Sequence, residues 1–524
     1  MNKLFFGDNL HFLRNRDYFP SEFVDFIYLD PPFNSNQDYN VLFRDEDGIL
    51  SSAQIKAFED TWRWDENSAR ALYEINTELE FTPKSTVAVV NMLEGFLGHS
   101  PMYAYLIQMS VRLIELHQVL KPTGALFLHC DPTASHYLKI ILDSIFGPKC
   151  FKNEIVWHYR RWTAKSNRFQ RMHDIILFYS KNPDFKINKM FIQPTEGQLV
   201  KHERGWDRNT VLIDGIRKPQ LIIYDHEKVK DAITKGRLNL KEFARVIEAK
   251  TRLTTAPDVW DIDFLNSQSR ERMGYPTQKP LELLYRIVNS ATNPGDLVLD
   301  PFCGCGTTID AVETLNKENP DSQRRNWIGI DVTHLAIDLI KYRLLTRFNI
   351  STDQYLVIGE PTTIDEARSL ALEDRYQFQY WALGLIGARP IGEKKKGADK
   401  GVDGYRSFIH GARRTFANCI VQVKSGKVGP AMIRDLKGTI EREKAELGVF
   451  ITLEKPTHAM IIEATTAGFY YSEVMGRDYP KIQIATIKQL LENRDFIKIP
   501  PGGILSSAPK FRNKNTDQEN LKIG

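Results

Sequence analysis

The sequence predicts an α/β fold: an open sheet holding a ligand at the carboxyl ends of its strands, followed by a second, smaller α/β domain. Three observations predict it. Dense apolar runs end in an acid, "FVDFIYLD" at Asp30, "GDLVLD" at Asp300 and "WIGID" at Asp331, and open α/β sheets bind ligands where their strands end. A glycine-rich turn and a helical pattern, "PFCGCGTTIDAVETL", follow the second run. Beyond residue 365 the composition changes and a new alternation of strand and helix patterns begins. A chain of 524 residues exceeds one ordinary core, and about three domains are expected.

Hydrophobic residues at 42% and charged residues at 26% describe a soluble globular protein. The net charge of +4 does not by itself select a nucleic-acid partner. The start, "MNKLFFGDNL", lacks the apolar core of a signal peptide. No apolar run approaches the ~18 residues of a membrane helix. The five cysteines, at 130, 150, 303, 305 and 419, form no disulfide framework and point to a reducing cytoplasm.

Taken in order, "FVDFIYLD" reads as a buried strand, and Pro31 and Pro32 force the chain out of the sheet. Asp30 therefore stands at a strand's carboxyl end, where a plain strand-to-loop turn with a solvated carboxylate is the alternative. In the later unit, Gly304 and Gly306 allow close approach of the backbone to a ligand, and Thr307 and Thr308 suit a helix start. An acid at the end of the next strand, Asp331, suits a ribose. The turn lacks G-x-G-x-x-G, and no G-x-x-x-x-G-K-[ST] occurs. An adenosine cofactor without a pyrophosphate clamp is expected. Cys303 and Cys305 have no C-x-x-C or paired histidines beside them and read as small buried residues of a tight turn rather than metal ligands.

Asp30-Pro31-Pro32-Phe33 resembles the catalytic motif of DNA amino-methyltransferases, and Asp300-Pro301-Phe302-Cys303-Gly304-Cys305-Gly306-Thr307 resembles their S-adenosylmethionine loop. "TQKPLELLYRIV", which contains Thr277 and Lys279, resembles the segment that closes over the methionine moiety. "GALFLHCDPTASHYLKIILDSIFG" and "NEIVWHYRR" resemble the connecting core. The order, catalytic motif first, is that of the β class. The resemblance covers roughly residues 1–350 and implies a Rossmann-like S-adenosylmethionine-dependent sheet. It implies halves at 1–160 and 269–350 around a target-recognition region at 161–268. It also implies double-stranded DNA as partner, with a homodimer or a partner restriction subunit left open.

The implied chemistry explains the prolines. An exocyclic amine is a poor nucleophile because its lone pair is delocalised into the ring. Asp30 and the Pro31 carbonyl would accept its N–H bonds in a turn already set. Phe33 would stack on a base swung out of the duplex. Asp331 would hold the ribose, and Asp300 would anchor the loop near the methionine. Asp8, in "FFGDNLHFL", would contact the cofactor or merely cap a helix. This class commonly pairs Asp-Pro-Pro-Phe with adenine, so adenine is expected ahead of cytosine.

Between the motifs, "KHERGWDRNTVLIDGIRKPQ" and "KDAITKGRLNLKEFARVIEAKTR" mix Lys and Arg with aromatics, as DNA-facing segments do. "LKEFARVIEAK" itself reads as a solvated amphipathic helix. "DIILFY" reads as a core strand, with Arg171 and His173 at its mouth facing either DNA or solvent.

After a linker at 351–369, "DRYQFQYWALGLIGA", "GADKGVDGYRSF", "NCIVQVKSG" and "IRDLKGTIEREKAELGVFITL" resemble the Mrr branch of the PD-(D/E)xK nucleases over roughly 370–490, in a domain placed at 370–500 before a tail at 501–524. The resemblance implies that Asp403, the Gln422 oxygen, the Val423 carbonyl and phosphate oxygens hold Mg²⁺ and that Lys424 assists the nucleophile. Glutamine in place of an acid weakens such a site, so a degenerate fold that binds DNA or docks is the alternative. "GEKKKG" reads as a basic loop near DNA or as a solvated one. The functions implied are a restriction–modification protein with a C-terminal nuclease, a solitary methyltransferase with an inactive C-terminal domain, and, in third place, an RNA methyltransferase.

Overall fold

The apolar runs ending at Asp30, Asp300 and Asp331 are strands of one sheet. The computed structural model describes all residues except Met1, 33–38, 45–49, 59–63, 78–80, 161–166, 168, 193–195, 250–253, 266–268, 270, 276, 391–400, 411–414 and 501–524. Phe33 and "GEKKKG" thus lie outside the described residues. The chain divides into two units, residues 1–185 with 261–524, and residues 186–260.

The sheet of the first unit contains β1 (Lys3–Phe6), β2 (Val24–Leu29), β3 (Leu120–Cys130), β4 (Phe151–His158), β5 (His173–Ser180), β6 (Val259–Asp261), β7 (Leu297–Asp300), β8 (Asn326–Asp331) and β9 (Leu356–Ile358). Their order is β6-β4-β5-β3-β2-β7-β8-β1-β9. The run from β3 to β9 is parallel, and β5 is antiparallel to both β3 and β4. Phe26, Ile27, Tyr28 and Leu29 are all buried, as a central parallel strand covered on both faces requires. From β2 the next strand of the sheet lies on one side, at β3; from β7 it lies on the other, at β8. The switch point falls between β2 and β7, paired at Phe26↔Val298 and Ile27↔Leu299. α1 (Pro101–Val119) is capped by Ser100 and carries the family of buried apolar residues Leu106, Val111, Leu113 and Leu116. α2 (Leu281–Ala291), α3 (Thr307–Glu318) and α4 (His334–Phe348) follow in the cofactor half.

In residues 186–260, Trp206–Ile213 and Ile216–Ile223 pair antiparallel. They turn through Asp214 and Gly215, both at positive φ, as a two-residue hairpin loop demands. The helix expected at "LKEFARVIEAK" is absent: Leu240–Glu242 is a single 3₁₀ turn and Arg245–Glu248 is a strand. β-Branched Val246 and Ile247 pair there with Leu221 and Ile222, so sheet pairing overrides helical periodicity. Among the described residues this unit has two α-helices, Glu196–Arg204 and His226–Thr234, the second capped by Asp225.

The C-terminal part forms a second sheet: β10 (Arg389–Pro390), β11 (Gly404–His410), β12 (Thr415–Lys424), β13 (Leu447–Thr452) and β14 (Ile482–Thr486), in that order. β11 and β12 are antiparallel, while β12, β13 and β14 run parallel. α5 (Arg375–Gly384) precedes it and α6 (Pro430–Arg442) crosses from β12 to β13. α5 also packs on α4: the Gln377 amide oxygen accepts from the His334 backbone N–H at 3.3 Å, and Tyr380 packs with Tyr275, Cys305, Leu335 and Ala336. Among the described residues no helix is long and apolar enough to cross a membrane. All five cysteines are unpaired and buried.

Where β9 ends, Gly359 has φ +92°, and a Cβ there would lie 2.1 Å from the Phe6 carbonyl oxygen. Gly359→Ala should destabilise the protein by more than about 2 kcal/mol, read as a lowered midpoint in thermal or urea unfolding. An unchanged midpoint would show that the β1–β9 edge yields freely.

Candidate active site

The switch-point crevice opens into a cavity of about 280 Å³. Of the residues assigned from sequence, Asp8, Asp30, Pro32, Thr277, Lys279, Asp300, Pro301, Phe302, Gly304, Thr307 and Asp331 line it. Pro31 is buried beside Asp30, and Gly306 sits in the turn behind the cavity wall.

The glycine turn works as its composition suggests. Gly304 and Gly306 have φ +48° and +76°, and a Cβ on Gly306 would meet Ile340 at 2.6 Å. The Gly304 N–H donates to Asp331 Oδ2 at 2.9 Å, and the Thr333 N–H and hydroxyl donate to Oδ1 at 2.9 and 2.8 Å. Asp331 is thereby held at the end of β8. Asp300 accepts from the Phe302 N–H at 3.1 Å and from the Thr308 hydroxyl at 2.5 Å. Burial pushes its carboxyl up to about 7, reinforced by the charges of Asp30 and Asp331 and opposed by those two hydrogen bonds.

Asp8 does cap the helix Asn9–Arg14, accepting from the Leu10 N–H at 2.6 Å, while also pairing with Arg112 at 3.1 Å. Arg112 and Asn9 were not anticipated from sequence. Arg112 Nε donates to Asn9 Oδ1 at 2.8 Å, and Asn9 Nδ2 donates to the Pro301 carbonyl at 2.7 Å. The signal was present: a lone arginine inside the apolar run "PMYAYLIQMSVRLIEL" needs a polar partner.

Segment 271–281 is tied down at several points. Gln278 accepts from the Met273 N–H at 2.8 Å and donates to the Glu271 carbonyl at 2.9 Å. Glu271 Oε1 accepts from the Leu281 N–H at 2.6 Å. Thr277 has φ +60°, a left-handed conformation rare for a β-branched residue, at a cost of about 1–3 kcal/mol. The segment delivers the Lys279 ammonium onto Asp30 Oδ2. Behind Asp30, the Tyr28 hydroxyl meets His129 Nδ1 at 2.9 Å, and His129 Nε2 lies 3.4 Å from Asp174. Burial pushes the Tyr28 phenol up, and the Asp30 charge adds to it. Arg171, half exposed, pairs with Asp131 at 2.9 Å and Thr133 at 3.1 Å.

In the C-terminal sheet, Asp403 and Lys424 come together, with Asp403 Oδ2 3.5 Å from Lys424 Nζ. The same oxygen accepts from the Val423 N–H at 2.8 Å. Gln422 turns its amide nitrogen to the Gly401 carbonyl, and Gln379 Nε2 reaches the Asp403 carbonyl at 3.5 Å. No group of three or more His, Cys, Asp or Glu that could hold a metal exists among the described residues. At the Mg²⁺ site expected at Asp403 and Gln422 the described residues thus bring a single carboxylate, with the Gln422 amide nitrogen turned to the Gly401 carbonyl; a hard cation there would draw its remaining ligands from carbonyl, water and phosphate oxygens.

A family model described as DNA methylase matches residues 24–342, more than half of the chain. The chain belongs to this family. A second model, described as NACHT-associated inactive Restriction Endonuclease 1, matches residues 377–492, so the C-terminal domain is restriction-endonuclease-like. Among curated relatives, Type II methyltransferase M.EcaI of Enterobacter cloacae is 29% identical over 46% of this chain and 57% of its own length. The StyLTI Mod subunit, a Type III restriction-modification enzyme of Salmonella typhimurium, is 26% identical over 62% of this chain and 51% of its own. DNA adenine methyltransferase YhdJ of Escherichia coli is 24% identical over 66% and 84%. The chain thus spans little more than half the length of the first two.

Asp300 generates a pH test. A bound cation favours its ionised form, so affinity for S-adenosylmethionine, the cation implied by the resemblance, should rise as pH rises through about 7. Calorimetry from pH 6 to 8 should show that rise in the wild type and a flat profile in Asp300→Asn. Equal slopes in both proteins would remove Asp300 from cofactor binding.

Proposed function

We propose that this DNA methylase-family chain methylates the exocyclic amine of adenine in double-stranded DNA, using S-adenosylmethionine, and that its C-terminal domain binds or docks rather than cuts. The observation that carries the reading is that Asp30, Asp300 and Asp331 all face one cavity at the switch point. The residues fit the cofactor: Asp331 stands where a ribose diol needs an acceptor, the glycine turn keeps side chains out of the way, and three acids suit a cation. When bound, S-adenosylmethionine supplies a methyl group carried by a sulfonium. The chain's own part is to hold and orient. Asp30 accepts an N–H of the amine and so returns its lone pair toward nitrogen, in a position set before the substrate arrives. Because the amine lies inside the duplex, the base must leave the stack to reach it. The Asp-Pro-Pro-Phe motif supports adenine over cytosine, and the name of the relative YhdJ agrees with that.

The restriction–modification setting is supported by the StyLTI Mod relative, and a separate restriction subunit fits a chain whose C-terminal domain matches a model described as an inactive restriction endonuclease. Cutting by this chain itself is the second reading, favoured by the proximity of Lys424 to Asp403.

Plasmid DNA incubated with the protein and S-adenosylmethionine should yield N6-methyladenine on digestion to nucleosides and mass spectrometry. Asp30→Ala should lose on the order of 2–4 kcal/mol of transition-state stabilisation while calorimetric cofactor affinity stays near wild type. N4-Methylcytosine alone would replace the base assignment, and labelling of RNA alone would replace the substrate. With Mg²⁺ or Mn²⁺ the plasmid should remain uncut; cleavage abolished by Lys424→Ala would instead establish a live nuclease.

A further inference from the structure

We infer that Lys279 acts through Asp30, as a positioning residue that fixes the carboxylate for the incoming amine, rather than as a ligand of the cofactor; this rests on the amino-methyltransferase reading. The Lys279 ammonium sits on Asp30 Oδ2, with side chains only 10% and 14% exposed. At that burial the pair is weakly screened by solvent. Binding one carboxylate oxygen from the side orients the group for an incoming N–H.

Electrostatics require such a partner. Asp30 stands in a cavity with Asp300 and Asp331, and carboxylates gathered in low dielectric drive one of their number to take up a proton. An ammonium fixed on Asp30 offsets part of the negative charge gathered at the strand ends. It also opposes, by like charge, a direct contact between Lys279 and a sulfonium.

The backbone is arranged to deliver this one side chain. Thr277 is held at φ +60° two residues before it, Gln278 beside it is bonded at both ends, and Glu271 closes the segment onto the first turn of α2. A lysine serving only as a solvated charge needs none of these ties.

The test uses the full chain. Lys279→Ala should lower kcat about 100-fold, leave S-adenosylmethionine affinity within about threefold, and move the acid limb of the kcat–pH profile toward neutrality. Lys279→Arg should restore part of kcat and return the limb. In an Asp30→Ala background, Lys279→Ala should cost nothing further. Loss of cofactor affinity in step with kcat, an unmoved acid limb, or full additivity with Asp30→Ala would each overturn the inference and return Lys279 to the cofactor. If the wild type methylates no nucleic acid, the functional reading itself fails. The pair is then judged by thermal unfolding of both single variants and the double: less-than-additive shifts support it, and additive shifts overturn it.

Discussion

Everything at the active site depends on two strands being neighbours. β2 and β7 are far apart in sequence yet lie side by side and parallel, and because both end at the same edge, Asp30 and Asp300 emerge together. Neither strand could place its acid without the other. The parallel register fixes the depth of each carboxylate, and the opposite directions of the onward connections keep the crevice open. The proline pair after Asp30 and the glycine turn after Asp300 are two ways of leaving a sheet abruptly, and each ends with polar atoms aimed into the same space.

That convergence concentrates negative charge. Burial pushes the Asp300 carboxyl up to about 7 against two hydrogen bonds, burial likewise pushes Asp331 up against its hydrogen bonds from Gly304 and Thr333, and Asp30 pairs with Lys279. The three like groups thus coexist through hydrogen bonding and ion pairing. A cationic ligand meets a cavity whose charge is already apportioned, with little reorganisation left to do.

The strands and the acids at their ends were legible in the sequence because apolar runs terminated by proline or glycine have few other readings. The glycine turn was legible because its residues tolerate positive φ. For Arg112 the apolar run signals only the need for a polar partner; that partner is Asn9, which in turn donates to the Pro301 carbonyl, a relay between distant segments that local sequence does not show. The strand Arg245–Glu248 was misread as helix: its charges fall at helical spacing, but Val246 and Ile247 have partners in Leu221 and Ile222 that no local pattern reveals. Gln422 was visible as a weakened ligand, whereas the engagement of Asp403 by Val423 needed the hairpin geometry.

The helix Arg375–Gly384 belongs to two neighbourhoods at once. Gln377 reaches the start of α4, Tyr380 covers Tyr275 and Cys305 behind the glycine turn, and Gln379 reaches Asp403. A seam drawn by composition near residue 365 is therefore not a place where the protein comes apart cleanly. A chain cut there would expose Leu335 and Ala336 to water and lose a panel from behind the glycine turn. Modularity here is a property of the sequence text more than of the object, and anyone grafting a different C-terminal domain must carry this helix's inward face along as part of the enzyme.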